Sequence, residues 1–226
     1  MSFRQGARQF FERRGAPTPP LPYDAEVEYL ESTGTQYIDT GVLLGSNLNM
    51  VVRHMFTEVG GAEYNFPAGC FASRRWFGFG LQQNSSYYAR GGYASLTSYS
   101  TIEVGSQGPE NFVYANLTDW RIATLDSTQG ENGGYFVLDG YEPRTQTAWT
   151  GTGTAHIYLF GANYASSARP AKCKISSASI TSTATGEELI KYKAVRKDGV
   201  GYMYDSVTGT LIGNSGTGAF NIGPDK

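Results

Sequence analysis

From Tyr23 to Lys226 no segment carries a helical period; short strand-like runs follow one another, broken by glycine-containing turns. Candidate strands fall at 25–30, 36–42, 47–56, 69–80, 86–90, 101–105, 111–115, 119–125, 134–138, 154–160, 173–182, 188–195, 201–205 and 209–213. Turn signals stand between them at Gly34, Gly60-Gly61, Gly91-Gly92, Gly133-Gly134, Asp139-Gly140, Asp198-Gly199 and Asn214-Ser-Gly216. The alternation in Asn47-Leu-Asn-Met-Val-Val-Arg-His-Met-Phe56 marks a strand with one buried and one wet face. The 29 Gly, 16 Tyr and 12 Phe suit pleated surfaces and tight reversals. No internal repeat is visible. Together these features predict one all-β domain, a two-sheet sandwich or jelly roll, over residues 23–226.

Ahead of it lies a different kind of text. Phe3, Ala7, Phe10 and Phe11 follow i, i+4, i+7, i+8 spacing and fall on one stripe of a short helix over residues 1–14. Gly15 and Pro17 stop that helix, and the run GAPTPPLP at 15–22 forms a semi-rigid spacer of about 25 Å when extended. A helix this short is marginal alone in water, so its apolar stripe calls for a partner to pack on. Folding back on its own domain is the competing reading.

Charged residues are only 17% of the chain and its net charge is −2, which gives no field for nucleic acid or an anionic membrane. No apolar stretch reaches transmembrane length, and the first fifteen residues lack the apolar core of a signal peptide. The expectation is synthesis in the cytoplasm, with any export by another route. Cys70 and Cys173 fit no metal or redox spacing; two buried free thiols are expected, with a disulfide as the alternative.

Three stretches carry a resemblance. They are Glu26–Gly41 (EVEYLESTGTQYIDTG), the pair Gly134–Gly140 (GYFVLDG) and His156–Asn163 (HIYLFGAN), and the closing runs Val195–Asp205 and Gly213–Gly223. They resemble the concanavalin A-like, laminin G-like domains of gut Bacteroidales and their phages. The resemblance spans about residues 23–226 and excludes the arm. It implies two antiparallel sheets in a jelly-roll sandwich, and a setting in phage virions, prophages or bacterial surface proteins. It supplies no ligand, because this fold hosts lectins, glycosidases and structural modules alike.

Glu26-x-Glu28-x-x-Glu31 superficially resembles the acidic strand motif of laminarinase-type glycosidases, in which carboxylates on one face act as nucleophile and acid/base. Here it opens the domain, and its middle position is Glu rather than Asp; a charged, solvated edge strand is the simpler reading. His54 alternates out of an apolar strand and His156 opens one, so both read as ordinary strand residues. Asp119, Asp126 and Asp139 are scattered, so no cofactor is expected, with a loop Ca²⁺ site left open. The glycine-rich run Gly209–Gly218 lacks the lysine of a phosphate loop and reads as hairpin turns.

The binding candidate is residues 84–99, where Tyr87, Tyr88, Arg90 and Tyr93 stand among Asn, Ser and Gly; Trp76, Trp149 and Tyr164 extend it. Such a mix gives rigid amphipathic contact area and adaptable hydrogen bonds, and aromatic faces stack on sugar rings. The competing reading is a plain hairpin with a buried tyrosine. The expected function is therefore non-enzymatic: a phage or phage-derived head or tail decoration or fibre module in the virion. Its arm would seat in another virion protein, and its sandwich would adhere to cell-surface glycans. A stand-alone lectin on a gut-bacterial surface is the alternative and a glycoside hydrolase a distant third; a homo-oligomer stays open.

Overall fold

The computed structural model describes residues 20–58, 64–72, 75–83, 87–95, 102–104, 118–128, 134–139, 144–146, 152–164 and 167–226. These residues form nineteen strands: β1 (Ala25–Glu26), β2 (Leu30–Thr33), β3 (Ile38–Gly45), β4 (Leu48–Phe56), β5 (Tyr64–Ala72), β6 (Arg75–Gln83), β7 (Tyr87–Ser95), β8 (Ile102–Val104), β9 (Arg121–Asp126), β10 (Gly134–Leu138), β11 (Arg144–Gln146), β12 (Thr152–Leu159), β13 (Gly161–Tyr164), β14 (Ser167–Pro170), β15 (Lys172–Ser182), β16 (Glu188–Lys197), β17 (Val200–Asp205), β18 (Thr210–Ile212) and β19 (Asn221–Ile222). The predicted arm with Phe3, Ala7, Phe10 and Phe11, and the spacer up to residue 19, lie outside the described residues.

The strands make two sheets, as a β-sandwich requires. The eleven-stranded sheet runs β11-β10-β9-β4-β15-β16-β17-β18, with β1 on β16, β2 on β15 and β19 on β2. The eight-stranded sheet runs β14-β13-β5-β6-β7-β8, with β12 on β5 and β3 on β12. Strand alternation fills the space between them. β4 sends Leu48, Met50 and Val52 inward, and β15 sends Cys173, Ile175 and Ile180. Cys70, Phe77, Phe79, Ile157 and Leu159 of the other sheet join them in one core. Each large side chain buried there contributes about 1.5–3 kcal/mol, which offsets the ordering of its strand. The β16–β17 reversal has Asp198 at φ 51° and Gly199 at φ 75°, the pair of left-handed residues that matches strand twist in a two-residue hairpin.

Four expectations need correction. Pairing is not wholly antiparallel, because β13 lies parallel to β5. Phe160 sits in the left-handed region at φ 58°, and the chain reverses there, so β12 and β13 both run beside β5 in opposite senses. The predicted strand 69–80 is a hairpin of β5 and β6, with Ala72 opposite Arg75. The predicted strand 25–30 is split, β1 pairing with β16 and β2 with β15 and β19. His54 faces the core: it is 2% exposed, packed 4.9 Å from Phe79 and 5.3 Å from Phe56.

The first and last described segments are clasped together. Asp24 N–H donates to Arg196 O (2.8 Å) and Lys226 N–H to Glu26 O (2.9 Å), while the Arg196 guanidinium pairs with Asp225 at 2.8 Å.

Candidate functional site

The outer face of the eight-stranded sheet is built by alternation. Ala68 and Cys70 of β5, and Phe77 and Phe79 of β6, point into the core, which leaves Gly69 and Gly78 on the opposite face. Register then sets rows across this face. Tyr164, Phe71, Trp76 and Ala94 are successive partners across β13, β5, β6 and β7. The next row is Ala162, Gly69, Gly78 and Gly92, and Gly80 pairs with Arg90 beyond it. Glycine is required in the second row. A Cβ on Gly69 would lie 2.9 Å from Gly78 Cα, and one on Gly78 would lie 2.7 Å from Ala68 O. The close backbone approach packs this strip tightly beside the aromatic row: Gly69, Gly78 and Gly80 are themselves buried, and the Phe66 side chain lies against Gly80.

Around that strip sit defined side chains. Phe66, Phe71 and Ala162 form an apolar group separate from the main core. Tyr164, 44% exposed, lies 5.5 Å from Phe71, and the Arg169 guanidinium stands 4.1 Å over the Tyr164 ring.

On the flank, β3 with the residue just before it and β12 bring four polar and aromatic residues together. Ile157 and Leu159 point inward, so His156 and Tyr158 point out. Tyr158 pairs in register with Asp39, and its ring stacks on Tyr37 with centroids 4.7 Å apart and planes at 22°. His156 Nδ1 lies 3.0 and 3.1 Å from the two Asp39 oxygens. Partial burial, and then the Asp39 carboxylate, push the Tyr158 hydroxyl above its ordinary range, so it stays a neutral donor. Stacked rings beside a carboxylate and an imidazole can stack on a sugar face and hydrogen-bond its hydroxyls. Among the described residues the His156 ring has Asp39 as its side-chain hydrogen-bond partner.

The predicted site residues divide. Trp76 occupies a position in the aromatic row, and Arg90 and Tyr88 are partners of Gly80 and Gln82. Tyr87 and Tyr93 are the register partners of Gln83 and Phe77. Trp149 lies outside the described residues. The acidic trio does not share one strand: Glu26 is on β1, Glu31 on β2 and Glu28 in the break between. Asp126 accepts from Asn49 Nδ2 and Thr128 N–H (2.7 Å each), Asp139 from Ile122 N–H (2.8 Å), and Asp119 faces Arg121 at 3.9 Å. Each aspartate is thus engaged locally, and the described residues hold no group of three metal-binding side chains.

The sequence reading missed Tyr37, Asp39, Phe71 and Tyr158. Tyr37-Ile38-Asp39-Thr40 does alternate outward and inward, and that signal is readable. The meeting of Asp39 with His156, 117 residues away, depends on the β3–β12 pairing. No protein-family model matches the chain, and no curated protein matches it.

Proposed function

We propose that the chain is a non-catalytic adhesion module of a phage or phage-derived virion. Its N-terminal segment is the attachment device, and a concanavalin A-like sandwich presents a face to glycans or host surfaces. The observation that carries this reading is the outer face of the eight-stranded sheet, where Tyr164 and Phe71 border a glycine strip flanked by stacked Tyr37 and Tyr158. Aromatic faces beside fixed hydrogen-bonding groups are the equipment for stacking on sugar rings. A hydrolytic role finds less support, because the acidic trio is divided between two strands and Glu26 is ion-paired to Lys193.

The test is a glycan array and a host-cell binding assay with the whole protein, alongside mass spectrometry of purified virions and of bacterial surface fractions. Binding is expected to weaken by about 1–3 kcal/mol in Tyr158→Ala and Tyr164→Ala with melting unchanged. Recovery in bacterial surface fractions, and not in virions, would assign the same face to a bacterial lectin. Binding to no glycan and no cell would overturn the adhesion reading.

A further inference from the structure

We propose that the outer face of the eleven-stranded sheet carries a second site, formed by Arg53, Trp120, Tyr29 and Lys174, for a carboxylate-bearing sugar. The proposal rests on the adhesion reading and gives it a ligand class.

Arg53 and Ile122 are register partners on β4 and β9, and their buried neighbours Val52 and Ala123 turn them outward. The Tyr29 and Trp120 rings meet here with centroids 5.9 Å apart at 47°. Each ring carries a cation: the Arg53 guanidinium lies 4.6 Å from the Trp120 centroid, and Lys174 Nζ 4.3 Å from that of Tyr29. Arg53 spends one donor on Ser176 Oγ, at 3.2 Å. Ser176 is placed there by a bulge in β15, between Ile175, which pairs with His54, and Ser177, which pairs with Arg53.

The charges on neighbouring cations are met by acids. Lys172 pairs with Glu58, Lys193 with Glu26 and Arg196 with Asp225. Arg53 and Lys174 have no ion-pair partner among the described residues. Glu31 is the register partner of Lys174, yet the ammonium lies over Tyr29. Two uncompensated cations held on touching rings are oriented before any ligand arrives, so less freedom is lost on binding. The planar fork of Arg53 suits a carboxylate gripped by two parallel hydrogen bonds, with Lys174 adding a point charge. Tyr29, Trp120 and Ile122 supply apolar surface for the carbon face of a sugar. Glu31 at the rim repels a doubly charged phosphate more than a singly charged carboxylate, which favours a sugar acid.

The experiment presents the whole protein with uronate-containing and sialylated oligosaccharides, and with their carboxyl-reduced counterparts. At least one acidic glycan should bind about ten-fold or more tightly than its reduced form, with affinity falling as salt rises. Arg53→Met and Lys174→Met should each remove most of that preference without moving the melting temperature, and Glu31→Gln should strengthen it. Glycan binding that ignores the carboxyl group, or that survives both substitutions, would overturn this site and leave the adhesion reading standing. Failure to bind any glycan or cell would overturn both.

Discussion

Glu26 and Lys193 form an ion pair across the seam between β1 and β16, and Tyr23 joins it by donating its hydroxyl to Glu26 at 3.2 Å. The hydrogen bond from Lys193 holds the Glu26 carboxyl below its ordinary range. Burial works against the Lys193 charge, but hydrogen bonds to Glu26 and Tyr23 outweigh it and raise its pKa. A carboxylate so paired serves as a clasp. Its contribution is present above the ordinary carboxylate pKa and is lost as pH falls through the lowered one. Because both partners are over one-third exposed or close to it, Glu26→Gln should cost under about 1 kcal/mol. β-Glucan hydrolysis by the wild type, abolished in Glu26→Gln or Glu28→Gln, would contradict the structural role.

His54 sets a pH dependence. Burial, chiefly, brings its pKa down to about 4, with the nearby Arg121 charge lowering it further and a contact to Val52 O opposing. The unfolded chain protonates near the ordinary value of about 6.5, so stability is full above that pH and drains as pH falls toward 4. Between pH 7 and pH 5 the loss from this residue should be about 2 kcal/mol. Urea melts of wild type and His54→Leu at the two pH values measure it. A variant whose stability falls as steeply as the wild type's would show that other groups carry the acid sensitivity.

Cys70 and Cys173 are both free and buried. Burial pushes the Cys70 thiol up to about 12 and raises that of Cys173 further. Reactivity needs the thiolate, so neither should alkylate in the native protein, and both should label once it is denatured. A reductant should leave the melting temperature unchanged. Rapid native labelling of one thiol would place it at the surface.

How far the sequence foretold this fold depends on the element. Leu48–Phe56 alternates cleanly and Lys172–Ser182 is long despite the bulge at Ser176, so their strands were legible, as was the Asp198-Gly199 turn that joins β16 to β17. The β5–β6 hairpin was not, because Ser73-Arg74, at the reversal between Ala72 and Arg75, offers no glycine or proline as a turn signal. β13 and β14 were missed, since Gly161–Pro170 lacks alternation and takes its pairing from β5. His54 shares the parity of Leu48, Met50 and Val52, so its burial was readable, but a polar ring suggested the wet face. For the candidate site the sequence offered residue types and the sheet supplied neighbours: Trp76 beside Phe71, Tyr158 beside Asp39.

Register divides the tyrosine-rich strand and gives it a sharp test. Position 93 is opposite Phe77, which is fully buried, whereas position 90 is opposite Gly80. Phe77→Ala should therefore lower stability by about 3–5 kcal/mol, as a cavity does. Arg90→Ala should leave stability within about 0.5 kcal/mol and weaken glycan binding instead. Denaturant melts paired with binding measurements separate the two, and the reverse pattern would mean that the strip does not face ligand.

The N-terminal segment should be dispensable for folding and needed for attachment. The main core contains no described residue before Val27, and Leu21 is 60% exposed. The domain closes on itself at Asp24, whose side chain accepts from Asp198 N–H at 2.7 Å and whose N–H donates to Arg196 O at 2.8 Å. The described packing begins near Tyr23, which is buried against Tyr204, whereas Pro20 and Leu21 ahead of it are exposed. The stripe of Phe3, Ala7, Phe10 and Phe11 is apolar enough that docking on a partner would gain about 1.5–3 kcal/mol per ring, which offsets the ordering of a short helix. Prolines at 17, 19, 20 and 22 would hold the sandwich clear of that joint. Deleting residues 1–20 should yield a soluble domain with an unchanged melting temperature that no longer enters its assembly, and Phe10→Ser with Phe11→Ser should reproduce the assembly defect. A truncated protein that unfolds would assign the segment to the domain's own core, and one that assembles as well as the full chain would end the attachment proposal.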